Sequence, residues 1–305
     1  MKPSKIVSLL LAIALLLVQL AAAASPVSVT DMKDRVIQLD APAARIVALT
    51  ASDCEILFAL GAGETLVGRG AYCDYPPEIL GIPVVQSGME TNIEQIVALE
   101  PQAVIMSTMS QTPEQAAALE AAGITVVASE ANDIAGVYEA ARLIGAVTGR
   151  TEEAETLIQS MQLSFAQIAD RAAGQGSKTV YFEVSPLQWG LWTAGNGTFM
   201  NELAAMLGLL NVFDDLQGWG EISQEQVIER DPDYIVTIAM YFGEGPTPEE
   251  EILSREGWQD MRALKDGNIL NIDSDAISRP GPRLADAAEI LYQFVYKPKD
   301  SLSAE

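Results

Sequence analysis

The chain has no histidine, only two cysteines and few bases: 18 Lys and Arg stand against 42 Asp and Glu among 305 residues. Each scarcity excludes something. Without histidine there is no Ser-His-Asp or Cys-His pair, and no imidazole to ligate zinc, haem iron or cobalt. Two cysteines alone do not make a zinc site. A net charge of −24 makes nucleic acid and anionic membrane surfaces poor partners and favours a basic partner surface or a cationic ligand. Long apolar runs are confined to residues 6–20, which Lys2 and Lys5 precede and the small residues of 21–24 follow. That is a secretory signal peptide, too short and wrongly flanked for a membrane span. Cleavage after Ala24 removes those two lysines and takes the net charge from −24 to −26. No cysteine follows at the position of lipid attachment. The mature chain is therefore expected outside the cytoplasm, tethered only if the signal stays uncleaved. In that setting the even count permits a disulfide between Cys54 and Cys73, with free thiols as the alternative.

An internal repeat organises the rest. Residues 92–106 read NIEQIVALEPQAVIM and residues 223–237 read SQEQVIERDPDYIVT. Without a gap, Glu94, Gln95 and Pro101 match Glu225, Gln226 and Pro232, and the apolar positions also match. Each copy reads as a short helix, a proline-marked turn and a buried strand, the unit of an α/β protein with a parallel sheet. Between the copies, residues 151–172 place Ala154, Leu157, Ile158, Met161, Phe165 and Ile168 on one helical face. Thr151 is the expected cap, and Glu152 and Glu153 suit the positive end of the helix dipole. The reading is a signal peptide (1–24), a first lobe (25–150), a rigid linker helix (151–172), a second lobe (173–298) and a tail (299–305).

Candidate ligand residues lie in irregular segments. Residues 69–77 read RGAYCDYPP, where Pro76 and Pro77 prevent regular structure. Loops after strands in open α/β sheets are where ligands bind. Tyr72 and Tyr75 can face a flat apolar ligand, Asp74 can accept from its polar edge, and Cys73 is a further contact. In the second lobe, Trp189, Trp192 and Trp219 sit among glycines in segments that read as loops, and Tyr241 and Phe242 in a Gly/Pro-rich loop. Arg279, boxed by Pro280 and Pro282, can point into a cleft at an anionic group. Arg283 reads as a surface ion pair at the start of the last helix.

Residues IVALTASDCEILFALGAGETLVG, the YCDYPP loop, NIEQIVALEPQAVI and GTFMNELAAMLGL, in this order and spacing, resemble the iron-siderophore and vitamin B12 class of periplasmic substrate-binding proteins of ABC importers. The resemblance spans residues 27–296, and the YCDYPP loop is most similar to the cobalamin-binding members. It implies two Rossmann-like α/β lobes joined by one long rigid helix, the class III arrangement, with ligand held between them. It also implies a monomer, no catalysis and no resident cofactor. The ligand would itself be a cobalt or iron chelate: a corrinoid first, a ferric siderophore or haem second. One glutamate on each lobe would dock on a basic permease surface, here Glu55 in DCEIL and Glu202 in MNELA. Two other classes compete. A Cys73-dependent enzyme lacks a base to form the thiolate. An exported interaction protein would bind nothing small.

Overall fold

In a computed structural model, residues 25–107, 111–239, 245–272 and 274–297 are described. A hairpin, β1 (Val27–Thr30) and β2 (Val36–Leu39), precedes a four-stranded sheet of β3 (Ile46–Ala48), β4 (Leu66–Arg69), β5 (Ala103–Met106) and β6 (Thr125–Ala128). Its order is β4-β3-β5-β6 and every pairing is parallel. β5 is buried at all four positions, as a strand covered on both faces must be. The covering helices include Ala51–Ala59, Ile93–Ala98, Pro113–Ala121 and Ile134–Thr148.

The second sheet contains β7 (Lys178–Ser185), β8 (Leu191–Ala194), β9 (Leu209–Asn211), β10 (Trp219–Ile222), β11 (Tyr234–Thr237) and β12 (Ile269–Asn271). Its order is β10-β8-β7-β11-β12, with β9 beside the start of β7. β7, β9, β11 and β12 run parallel, whereas β8 and β10 are antiparallel additions.

Helix Thr151–Ala172 serves both cores. Ala154 and Ile158 pack in the first lobe, while Met161, Phe165, Ile168 and Ala172 pack in the second. Leu157, half-buried, touches both clusters. One helix rooted in two cores cannot bend without opening one of them, which makes it a stiff connection. Thr151 is not its cap: Arg150 holds that position and no side chain caps the helix. Glu152 and Glu153 in the first turn stabilise its N-terminus instead.

The repeat is real down to its backbone. Asn92 Oδ1 accepts from Gln95 N at 3.1 Å, and Ser223 Oγ accepts from Gln226 N at 3.3 Å. The acidic residue before each proline has left-handed φ, 48° at Glu100 and 40° at Asp231. Proline disfavours right-handed helix in the residue before it, so the two helices stop within one residue of the same point of the motif.

Candidate ligand cleft between the lobes

The segments that follow β3, β4, β5 and β6 line two cavities together with residues 278–286, which follow β12 of the second sheet. The loop after β4 is held by its own chemistry. A side chain at Gly70 would put Cβ 2.4 Å from the Leu49 carbonyl oxygen, so only glycine allows this close approach. Arg69 Nη1 donates to the Cys73 carbonyl at 2.6 Å and Nε to that of Ile82 at 3.1 Å. Cys73 then points into the core, 1% exposed, and the residues flanking it point out. Tyr72 is 77% and Tyr75 44% exposed. Gly70→Ala should therefore displace this loop and weaken ligand binding more than it lowers stability, measured by titration and urea unfolding on one preparation.

Opposite this loop stand Arg279 and Arg283 of the second lobe. Glu55 accepts from Arg279 Nη1 at 3.1 Å and from Arg283 Nε and Nη2 at 2.9 and 2.6 Å. Arg279 also meets Asp74 at 2.7 Å and Asp275 at 2.9 Å. The Arg283 guanidinium lies 4.3 Å over the Tyr75 ring. Burial alone would raise the Asp74 carboxyl, but the hydrogen bond and charge of Arg279 hold it below the ordinary value. This network ties the lobes together across the cleft. Beside it opens a cavity of about 450 Å³ walled by Glu55, Phe58, Tyr75 and Arg283. A second cavity, about 210 Å³, is walled by Thr50, Asp53, Ser129 and Arg279. At its floor Asp53 is buried, and its carboxylate accepts from Ser129 Oγ at 2.6 Å and from the Thr50 hydroxyl. Burial pushes this carboxyl up to about 6.

Trp189 follows β7 directly and is 73% exposed. Trp192 is 41% exposed and pairs with Ser185, the last residue of β7, so both rings stand at the cleft end of the sheet. Trp192 and Trp219 are on strands rather than loops: Trp192 pairs with Glu221 and Trp219 with Ala194. Glycine-rich flanks concealed this hairpin-like pairing. Trp219 packs 5.4 Å from Phe199 against the second core. Tyr241 and Phe242 lie outside the described residues.

Several expected roles need correction. Cys54 and Cys73 are free buried thiols, both over the Ala48 carbonyl, at 3.7 and 4.0 Å. The hydrogen bond with Cys73, and then burial, push the Cys54 thiol well above its ordinary value. Cys73 therefore anchors the loop and does not face the cleft. Glu55 is 3% exposed and spent on the two arginines, so it offers nothing to a permease. Glu202 Oε2 accepts from Ile134 N at 2.7 Å, which turns it inward to satisfy a helix N-terminus. Helix Ala51–Ala59 has Thr50 at its cap position. Arg283 is no surface pair: its side chain is 12% exposed. Arg279 lines the smaller cavity, and its charge is already matched.

Among the described residues no helix is long and apolar enough to cross a membrane, and no group of three or more His, Cys, Asp or Glu is placed to hold a metal ion.

Comparison with known proteins agrees with this architecture. The periplasmic binding protein family pattern matches residues 46–276, so the chain belongs to that family. An uncharacterized ABC transporter substrate-binding lipoprotein, YvrC of Bacillus subtilis (strain 168), is 31% identical over 89% of this chain and 86% of its own length. The vitamin B12-binding protein of Salmonella choleraesuis (strain SC-B67) is 31% identical over 82% of this chain and 89% of its own. The structure of a possible iron-binding (periplasmic solute-binding) protein from Staphylococcus epidermidis ATCC 12228 superposes with a TM-score of 0.71 at 29% identity. It covers 84% of this chain and all of that one. The protein is a substrate-binding component of an ABC importer, of the class III architecture, and not an enzyme.

Proposed function

We propose that the protein captures a metal chelate, a corrinoid first, in the interlobe cleft and hands it to its permease. The observation that carries this is the exposure of Tyr72 and Trp189, one on each lobe, at 77% and 73%. Large exposed aromatics at the rim of a cleft are what a flat ligand needs and what a free surface avoids. The relatives named for vitamin B12 support the corrinoid, and the iron-binding neighbour supports a ferric chelate as the second reading. A thermal-shift panel of cyanocobalamin, cobinamide, haem and ferric catecholate and hydroxamate siderophores tests it. A ligand at 100 times its Kd should stabilise the protein by about 2.7 kcal/mol. A flat panel would reject the chelate reading.

The docking residues follow from the repeat. Glu94 and Glu225 occupy matching positions, each in the first turn of an exposed helix. A hydrogen bond with Ser223 holds the Glu225 carboxyl below its ordinary value, so it stays anionic. One carboxylate per lobe at equivalent places suits a permease with related basic halves. Glu94→Arg and Glu225→Arg should leave ligand affinity unchanged and weaken transport coupling in reconstituted vesicles. Loss of ligand binding in either variant would remove this assignment.

A further inference from the structure

We propose that the cleft selects neutral or cationic chelates and rejects anionic ones, because both arginines that reach it are already neutralised by carboxylates of the two lobes. The inference rests on the chelate-binding reading and names the charge class of its ligand.

The charges can be followed group by group. Arg279 and Arg283 meet three carboxylates, Glu55, Asp74 and Asp275, at 2.6–3.1 Å. Lys33, at the end of the β1–β2 hairpin, is paired with Glu130 at 3.0 Å. Arg69 lies beneath the Tyr72 loop, 7% exposed, with its donors on backbone carbonyls. Beyond these pairs the cleft holds Asp53 at its floor, and Glu78 and Asp286 on the wall of the larger cavity. Among the described residues, carboxylates thus outnumber bases around the ligand space.

An anionic ligand has two ways in, and both are costly. It can displace Asp74 or Glu55 from a guanidinium, which strands a carboxylate among other carboxylates. Alternatively it can leave the pairs intact and face uncompensated negative charge, a penalty that added salt screens. A cationic or uncharged chelate meets neither penalty. Corrinoids, whose side chains are amides, and ferric trihydroxamates fall in the favoured class. Ferric tricatecholates and haem, with its two propionates, fall in the other. Arg279 therefore does not seek an anionic ligand group. It closes the lobes and keeps Asp74 beside Tyr75.

The test varies ligand charge at constant ligand chemistry. One set is ferrioxamine B, its N-acetyl derivative and its N-succinyl derivative, which carry one positive charge, none and one negative. The other is aquacobalamin, cyanocobalamin and a cyanocobalamin monocarboxylate, in the same order of charge. Each is titrated calorimetrically into the purified protein at low and high salt. Within whichever set binds, Kd should rise about tenfold or more from the cationic to the anionic member at low salt. The gap should narrow at high salt. Asp275→Asn should narrow it as well. An anionic member that binds as tightly as the cationic one overturns the inference while the chelate reading stands. Failure of every member of both sets removes the chelate reading and the inference with it.

Discussion

Arg255→Ala should lower the unfolding free energy by about 3–5 kcal/mol, the usual cost of orphaning a buried ion. Arg255 is 4% and Glu183 1% exposed. The guanidinium donates to both Glu183 oxygens, at 2.6 and 2.9 Å, and through Nε to Glu251 at 3.1 Å, and it lies 4.5 Å over the Trp258 ring. Glu183 belongs to β7, inside the second sheet. Burial already raises its carboxyl above the ordinary range even with the arginine present. Without Arg255 it must either take up a proton or stay charged with no partner. Arg255→Lys should also lose stability, because one ammonium cannot span both oxygens. The double variant Glu183→Gln/Arg255→Met should recover much of the loss, since no fully buried charge is then stranded and Glu251, which also loses Arg255, has a side chain 35% exposed to water. Urea unfolding of the three variants measures this. A loss below about 1 kcal/mol for Arg255→Ala would mean the pair behaves as a surface salt bridge.

Asp53 should make stability depend on pH in the acid range. Its folded value, about 6, lies above its ordinary value of 3.8. Between these two pH values the folded protein holds a proton that the unfolded chain has released, so stability falls as pH rises through the window. The Asp53 contribution is fully present below about pH 4 and lost above about pH 6, a change of about 3 kcal/mol. Asp53→Asn removes the titration and keeps an acceptor for Ser129. The variant should gain on the native chain by about that amount between pH 4 and pH 7, measured by denaturant unfolding at each pH. Parallel curves for the two proteins would show that Asp53 does not titrate in this range.

What the sequence made legible was local. The linker helix could be read because Ala154, Ile158, Met161, Phe165 and Ile168 repeat at helical spacing, and all five are buried. The repeat could be read because its caps and prolines act within a few residues. The Tyr72 and Tyr75 loop could be read because Pro76 and Pro77 leave little choice. Charged residues were not legible in the same way. Glu55 lies 224 and 228 residues from the arginines that bind it, and nothing in DCEIL names them. One signal was available: its neighbours Cys54, Ile56 and Leu57 are apolar, which marks a helix segment buried on several faces. A glutamate in such a helix must have an internal partner. Trp192 and Trp219 were misplaced for a related reason. Glycines at 190, 195, 218 and 220 read as loop, yet Gly195 and Gly220 are strand-edge positions where Leu216 approaches too closely for a side chain. Glycine there serves packing rather than turning.

In the proposed function the space between the lobes holds a flat chelate against aromatic side chains of both. Trp189 and Trp192 report on it directly. Titrating the purified protein with cyanocobalamin while following tryptophan fluorescence should give saturable quenching with one ligand per chain. Tyr72→Ala, on the opposite lobe, should raise Kd by roughly tenfold, the loss of one stacking contact with its buried area. Absence of saturation with every corrinoid and ferric chelate tried, or an unchanged Kd in the Tyr72 variant, would contradict the account.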